Sequence, residues 1–384
     1  MPPNSPAAYP AALMVSAAFG GGHRQASAAV AQALAARLEG RIQLDEVDAV
    51  DMLSPLERAL IVGVYDFWLR HWPAAYHAFY RWTDSANEPV AVLNTFNWLG
   101  QAGFRHELRQ RQPGLVVNTF PTTVALADTV RRRQRLDFLN VLVLTDYRVH
   151  HHWARPQADL ILLPTEATRQ EMLAWGMDPG RLTVTGLPVS AEVTRLSGLD
   201  ASRRQAEMLQ ALGWTEMPEA PIILVSGGSG VYRGFDEVIG TLGNLGTRAE
   251  VLVVAGPKAP CTEMVGGARV HHLGYRQDFP VLLAGAALLI GKAGGMTVAE
   301  ATALGIPLIV YQPIPGQEEH NARHLLKQGA ALWPRTRAEL RRAALNLLDP
   351  GVRAQMAQSS RVLGVPDAAS RAAEVLLTRL GWEA

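Results

Sequence analysis

Residues 291–326 read GKAGGMTVAEATALGIPLIVYQPIPGQEEHNARHLL, and this stretch decides the fold class. Gly294-Gly295 is a tight-turn signal. Thr297-Val298-Ala299-Glu300 has the spacing of a capping box, which predicts a helix start near Thr297. Gly305 and Pro307 end that helix. Ile306 to Tyr311 reads as a buried strand, and Gln312 to Asn321 as the polar segment it leads into. The first amides of a helix have no internal partners, and the helix dipole is positive there. Glycine, lacking Cβ, lets an anion such as a diphosphate approach them closely.

The same order of elements recurs through the chain. Ala11 to Ala18 reads as a strand, Gly20-Gly21-Gly22 as a turn, and His23 opens a helix whose Val30, Leu34 and Leu38 share an apolar face. Strands follow at Ile42 to Asp48, Leu115 to Asn118, Leu139 to Leu144, Leu160 to Leu163 and Leu182 to Thr185. Residues 197–220 are polar and form a junction. The second half opens with Ile222 to Ser226 and Gly227-Gly228-Ser229-Gly230, with further strands at Val251 to Val254, Val270 to Leu273, Ala287 to Ile290 and Leu308 to Tyr311. Strand, glycine turn, helix, strand is the signature of parallel α/β units. The expectation is an α/β protein of two doubly wound, Rossmann-like parallel-sheet domains facing across a cleft. Residues 1–10 are a disordered lead, 11–190 the first domain and 191–368 the second. The last helix, within 369–384, packs back on the first domain.

Composition narrows the classes. A chain of 384 residues is too long for one ordinary domain, and 48% hydrophobic with 18% charged residues describes a folded protein. A formal net charge of +1 makes no case for nucleic acid. The single cysteine, Cys261, excludes an internal disulfide and a cysteine zinc cluster and fits a cytoplasmic setting. MPPNSPAAYP lacks the pattern of a signal peptide. The longest apolar run, Val281 to Ile290, is about half of the ~20 residues that span a bilayer. A soluble or peripheral protein is expected.

Residues 51–85 are crowded with aromatics, among them Trp68, Trp72 and Tyr76, interleaved with Arg58, Arg70 and Arg81. Two helices broken at Pro73 are expected. They either pack on the sheet or form an interfacial surface, since tryptophan, tyrosine and arginine suit the headgroup zone of a membrane. Arg131 to Arg133 and Arg135 make a basic helix, read as a solvated face. His150, His151 and His152 invite a metal, but neighbours on an extended segment point to opposite sides, and no metal site is expected.

The glycine turns match neither G-x-G-x-x-G nor a P-loop, which disfavours dinucleotide oxidoreductases and NTPases. As a set they carry a different resemblance. Gly20-Gly21-Gly22-His23 with Ser27 resembles the GGGH loop of bacterial diacylglycerol glucosyltransferases and plant-type monogalactosyldiacylglycerol synthases. Thr145-Asp146-Tyr147 with His150 and Trp153 resembles a second segment of that family, and Thr185-Gly186-Leu187-Pro188-Val189 a third. Lys292-Ala293-Gly294-Gly295 with Thr297, Glu300 and Ala301, then Pro313-Ile314-Pro315-Gly316-Gln317-Glu318 with Asn321, is similar to its second-half motifs. The resemblance covers nearly the whole chain after the lead. It extends more distantly to the peptidoglycan N-acetylglucosaminyltransferase.

The resemblance implies a GT-B fold and inverting transfer of glucose or galactose from a UDP-sugar to diacylglycerol. It implies no required metal or other cofactor. A peripheral enzyme on the cytoplasmic face of the cell membrane follows. Gly228, Ser229, Gly294, Gly295 and Thr297 would surround the diphosphate, with Lys292 adding positive charge. Gly274-Tyr275 would read the uracil, and Glu300 the ribose hydroxyls, since a carboxylate accepts from two adjacent donors. Gln317 and Glu318, with Asn321, would contact the sugar side. Gly21, Gly22, Tyr147, His150 and Trp153, with Trp68, Trp72 and Tyr76, would serve the acceptor or the membrane. His23 or Asp146 takes the acceptor proton, and the choice between them stays open. The alternatives are transfer of N-acetylglucosamine to another lipid-linked acceptor, a non-hydrolysing UDP-sugar epimerase, and a non-catalytic UDP-sugar or lipid-binding protein.

Overall fold

The computed structural model describes residues 9–17, 21–72, 100–228 and 232–382. The chain divides into two compact units, residues 1–190 with 367–384, and residues 191–366.

The first unit contains β1 (Tyr9–Ser16), α1 (Gly21–Arg37), β2 (Ile42–Asp48), α2 (Pro55–His71), α3 (Gln101–Arg111), β3 (Leu115–Asn118), α4 (Pro121–Gln134), β4 (Leu139–Val143), β5 (Leu160–Leu163), α5 (Glu166–Ala174) and β6 (Leu182–Val184). Its six strands lie in the order β2-β1-β3-β4-β5-β6, all parallel. The central strands LVVN and LILL are buried at every position, as a sheet covered on both faces requires. On one face, Val30 and Leu34 of α1 and Leu38 just after it meet Met14, Val117 and Val141 of the sheet. Ala372, Ala373, Leu376 and Leu377 of the C-terminal helix Ala368–Leu380 join the same core. On the other face, Phe104 and Leu108 of α3 and Leu126 and Val130 of α4 cover Leu13, Val15 and Val116.

One local reading changes. β1 begins at Tyr9, inside the expected lead, because the Tyr9 amide donates to the Arg41 carbonyl at 3.1 Å and its ring packs 5.3 Å from Trp382. Upstream of Pro73, α2 starts on a true capping box: the Ser54 hydroxyl and the Glu57 carboxylate each accept the other's backbone amide. It leaves Leu56, Phe67 and Trp72 exposed and Trp68 half-buried. The second expected helix and Tyr76 lie outside the described residues.

The second unit contains α6 (Ala191–Ser197), α7 (Ala201–Leu212), β7 (Ile222–Ser226), α8 (Phe235–Gly243), β8 (Ala249–Val254), β9 (Cys261–Val265), β10 (Ala268–Gly274), α9 (Phe279–Gly285), β11 (Leu288–Gly291), α10 (Gly295–Leu304), β12 (Leu308–Val310), α11 (Gln317–Lys327), β13 (Ala331–Leu332), α12 (Arg337–Leu348) and α13 (Pro350–Leu363). The strand order is β13-β12-β11-β7-β8-β10-β9, parallel except for β9 against β10. Ile223, Val225, Val251, Val253, Leu288 and Ile290 form the core with α8 and α12. Sequence reading missed β9 and β13. β9 is a solvent-exposed edge strand with no apolar run, and β13 is two residues long. Gly291 is forced: a Cβ there would stand 2.1 Å from the Ser226 carbonyl oxygen, where β11 crowds β7.

A buried arginine ties three helices of this unit together. The Arg204 guanidinium on α7 donates to the carbonyls of Leu196 (2.8 Å) and Ser197 (2.8 Å) in α6 and to that of Leu304 (2.6 Å) at the end of α10. Helix C-terminal carbonyls lack internal partners, so one side chain satisfies the ends of two helices. Arg204→Met leaves those carbonyls without their donor. It is expected to lower unfolding stability by about 3 kcal/mol. Urea titration measures this, and a change below about 0.5 kcal/mol, typical of an inert surface site, would remove Arg204 from the unit's framework.

Candidate functional site

The second unit gathers its polar residues at the C-terminal ends of β7, β11 and β12. α10 does not begin at Thr297. Its N-cap is Gly294, with φ −63° and ψ 138°, and no side chain caps it. The Val298 amide already closes the first helical bond, to the Gly294 carbonyl at 2.9 Å. Thr297 is therefore the third residue of the helix and Glu300 lies a turn inside it, so the expected capping box does not form. The glycine pair starts the turn two residues earlier than the threonine does. The outcome is a helix whose first amides have no side-chain cap among the described residues.

Five expected donor residues converge there. A Cβ on Gly294 would stand 3.9 Å from Thr297 Oγ1 and 3.7 Å from Glu318 Oε1. One on Gly228 would stand 3.9 Å from the same Thr297 hydroxyl and 3.8 Å from Lys292 Cε. Lys292 Nζ lies 3.4 Å from Glu318 Oε1, with both side chains nearly buried. Asn321, fully buried, donates from Nδ2 to the Ala293 carbonyl at 2.9 Å and pins the lysine–glycine turn to α11. Gly295 is the first residue of α10 and Gln317, half-buried, the first of α11.

Other members stand apart. Gly274 ends β10 with φ +66°, and Tyr275 is 78% exposed; β7 and β8 lie between their strand and β11. Ser229 lies outside the described residues. Glu300 is 5% exposed, and among the described residues no side-chain hydrogen bond or charge offsets the burial of its carboxyl. Burial pushes its carboxyl from 4.5 up to about 7.

Sequence reasoning missed Tyr232. Its hydroxyl is buried without a partner, and its ring covers Gly227 and Gly234, either of which a Cβ would drive into it. Tertiary packing alone places it, and no local pattern marks it. Gln312 was read only as loop. It holds φ +48° and donates to the Glu237 carboxylate at 2.8 Å, so α8 steadies the chain as it leaves β12.

In the first unit, the C-terminal ends of β1 to β4 surround His23, the third residue of α1. Its Nδ1 is 3.4 Å from Thr145 Oγ1. Its ring stands edge-on to Phe120 at 5.6 Å and stacks with Trp153 at 6.2 Å. Burial among these groups lowers the imidazole from 6.5 to about 4, against the opposing pull of the Thr119 backbone and the Asp48 charge. His23 is therefore neutral at physiological pH. Asp146 follows Thr145 directly and is buried. Both expected proton acceptors are thus buried at the C-terminal ends of the strands, His23 at the start of α1 and Asp146 after β4. Thr119 and Phe120 were not picked from sequence. Their signal is position, since they follow a parallel strand as Asp146 does.

Gly21 and Gly22 open α1, and Tyr147 is half-buried beyond Asp146. The three adjacent histidines take different partners. His150, buried, accepts the His152 amide on Nδ1 at 3.0 Å, His151 stacks on Trp175 at 4.0 Å, and His152 lies 3.1 Å from Thr122 Oγ1 and also contacts Arg155. Among the described residues no group of three His, Cys, Asp or Glu side chains could hold a metal ion. No described helix is long and apolar enough to cross a membrane.

Known proteins resemble this chain in sequence and fold. The monogalactosyldiacylglycerol (MGDG) synthase family model matches residues 23–189, and the glycosyltransferase family 28 C-terminal domain model matches residues 222–372. The processive diacylglycerol beta-glucosyltransferase of Staphylococcus carnosus (strain TM300) is 26% identical over 328 residues, covering 83% of this chain and 79% of that protein. The protein of the same name from Staphylococcus aureus (strain MRSA252) is 26% identical over 324 residues, with the same shares. Among solved structures, MurG of Acinetobacter baumannii aligns with a TM-score of 0.60 at 15% identity, covering 96% of this chain and 100% of that one. The UDP-GlcNAc 2-epimerase from Neisseria meningitidis bound to UDP-GlcNAc aligns at 0.59 and 14% identity, covering 96% and 99%. Likeness at such identities shows the fold and not the reaction. Residues 23–189 therefore belong to the MGDG synthase family and residues 222–372 to glycosyltransferase family 28, and the chain is a GT-B glycosyltransferase of the family 28 kind.

Proposed function

We propose that this glycosyltransferase moves a hexose, glucose or galactose, from a UDP-sugar to the free hydroxyl of diacylglycerol at the cytoplasmic membrane surface. The observation that carries the reading is the convergence of Gly228, Lys292, Gly294 and Thr297 on the uncapped start of α10. That is a place for a diphosphate, and a diphosphate is the leaving group of a UDP-sugar. The acceptor oxygen attacks the anomeric carbon from the face opposite UDP. The bond to the β-phosphate oxygen breaks, and the configuration inverts. Helix amides and the Lys292 ammonium take up the charge developing on UDP. With that charge supplied by the chain, the reading requires no divalent metal.

The acceptor proton goes to His23 or Asp146. Neutral His23 is in the form that accepts a proton, and Thr145 orients its ring. His23→Ala is expected to lower kcat by about a hundredfold or more, and Asp146→Asn tests the carboxylate in the same assay. A His23→Ala enzyme at full rate would leave Asp146 as the only candidate. The deciding experiment incubates the protein with diacylglycerol vesicles and UDP-glucose, UDP-galactose or UDP-N-acetylglucosamine, then determines product mass and linkage. Absence of glycolipid with all three donors would sink the reading. Product from UDP-N-acetylglucosamine alone would shift it to the alternative donor.

Glu300 supplies a pH signature. In this reading the ribose hydroxyls donate to its ionised form. The free carboxyl ionises near 7, so UDP binding releases a proton there and affinity rises as pH increases through 7. Calorimetry in buffers of different ionisation heat measures this. Glu300→Gln flattens the profile and weakens UDP about tenfold or more. Stability moves the other way. A carboxyl raised from 4.5 to about 7 on folding favours the folded state fully only below 4.5, and that benefit is lost as pH rises through 7. At pH 8 Glu300→Gln is therefore expected to stabilise the free protein, by up to about 3 kcal/mol. A destabilised variant at pH 8 would contradict this account of Glu300.

A further inference from the structure

Resemblance casts Glu318 as a contact to sugar hydroxyls. Its surroundings give it other work. Oε2 accepts the Ile314 amide at 2.7 Å, and Oε1 faces the Lys292 ammonium at 3.4 Å. Both side chains are nearly buried, at 8% and 10% exposure. The same Oε1 stands 3.7 Å from the position a Cβ on Gly294 would take, beside the uncapped start of α10. A carboxylate of the chain itself therefore holds the lysine at the mouth of the anion site.

Two anions then want one cation. In a poorly solvated place the attraction within a buried ion pair is weakly screened, and it yields only when one charge is offered an alternative partner. A diphosphate arriving on α10 offers Lys292 that alternative and brings negative charge close to Glu318. Like charges at such range oppose each other strongly when water is scarce. We infer that Glu318 is an internal competitor of the donor diphosphate, neutralising Lys292 in the free protein and loosening the grip on UDP so that product leaves. The inference rests on the donor-site reading above and deepens it. Glu318 becomes a positioning residue that acts through Lys292, while its other oxygen steadies the loop at Ile314.

The test separates charge from shape. Glu318→Gln keeps an oxygen for the Ile314 amide and removes the charge. UDP binding is measured by calorimetry for wild type, Glu318→Gln, Lys292→Met and the double variant, at low and high salt. UDP is expected to bind Glu318→Gln on the order of fivefold to tenfold tighter than wild type, with a steeper loss in high salt, as for a cation released from its partner. UDP as a product inhibitor should strengthen by the same factor. Lys292→Met weakens UDP, and adding Glu318→Gln to it restores less than the single change gains. Should Glu318→Gln alone not fold, the double variant, which leaves neither member of this pair charged without the other, must still bind UDP tighter than Lys292→Met. UDP affinity in Glu318→Gln equal to or below wild type overturns the inference, and so does an effect on UDP-sugar that is absent with UDP. A wild type that does not bind UDP at all overturns the donor-site reading itself.

Discussion

The start of α10 is a helix end without a cap, and the second unit is built around that deficit. Unpaired amides at a helix N-terminus need a side chain, water or a ligand. Asparagine, aspartate, serine or threonine at position 294 would fill the need internally; this chain has glycine there. The neighbouring constraints follow from keeping the space clear. Gly228 holds φ +63°, a left-handed conformation that favours glycine, beside Thr297 and Lys292. Gly291 lets β11 run against Ser226 and deliver the turn to the sheet edge. Asn321 locks the turn from α11 through the Ala293 carbonyl. Each of these residues gives up local stability or freedom to leave one helix end open.

The first unit answers a different demand. There the central group is a buried imidazole and not an open helix end. An exposed histidine would be partly protonated near neutral pH. Packing among Thr119, Phe120, Thr145 and Trp153 removes that ambiguity by making the charged form costly. The same burial weakens His23 as a base, and the Asp48 charge restores part of its basicity. Asp48 is itself engaged by Arg24 at 2.7 Å. The loops after four consecutive parallel strands thus tune one imidazole.

Much of this was legible in the sequence, for reasons that differ by element. Buried parallel strands such as Leu160–Leu163 announce themselves because both faces are covered and every position is apolar. The exposed β9 carries no such mark, although Gly266-Gly267 before β10 is a hairpin turn that could have revealed it. The glycine turns and their positions after strands located both clusters. The helix start near Thr297 was misplaced because the capping-box pattern is local, while the actual N-cap is set by how the glycine pair leaves β11. At Ser54 the same pattern was real. Pairings across the fold had no local signature: Lys292 with Glu318, Gln312 with Glu237, and Tyr232 over its glycines all depend on elements distant in sequence.

Two buried carboxylates of the second unit show how burial divides labour. Glu300 is buried, and burial alone raises its carboxyl, so its charged form is disfavoured. Glu318 is buried against an ammonium, so its charge is held and it contends with any anion that approaches. Neither residue type nor distance along the chain separates them; their neighbours do. A site that must bind a nucleotide sugar and then release the nucleotide needs both behaviours. Hydroxyl recognition holds the part common to substrate and product. Charge competition acts on the diphosphate, whose negative charge grows as the sugar departs. An anion hole with only positive groups would bind the product more tightly than the substrate, and the carboxylate beside Lys292 opposes that outcome.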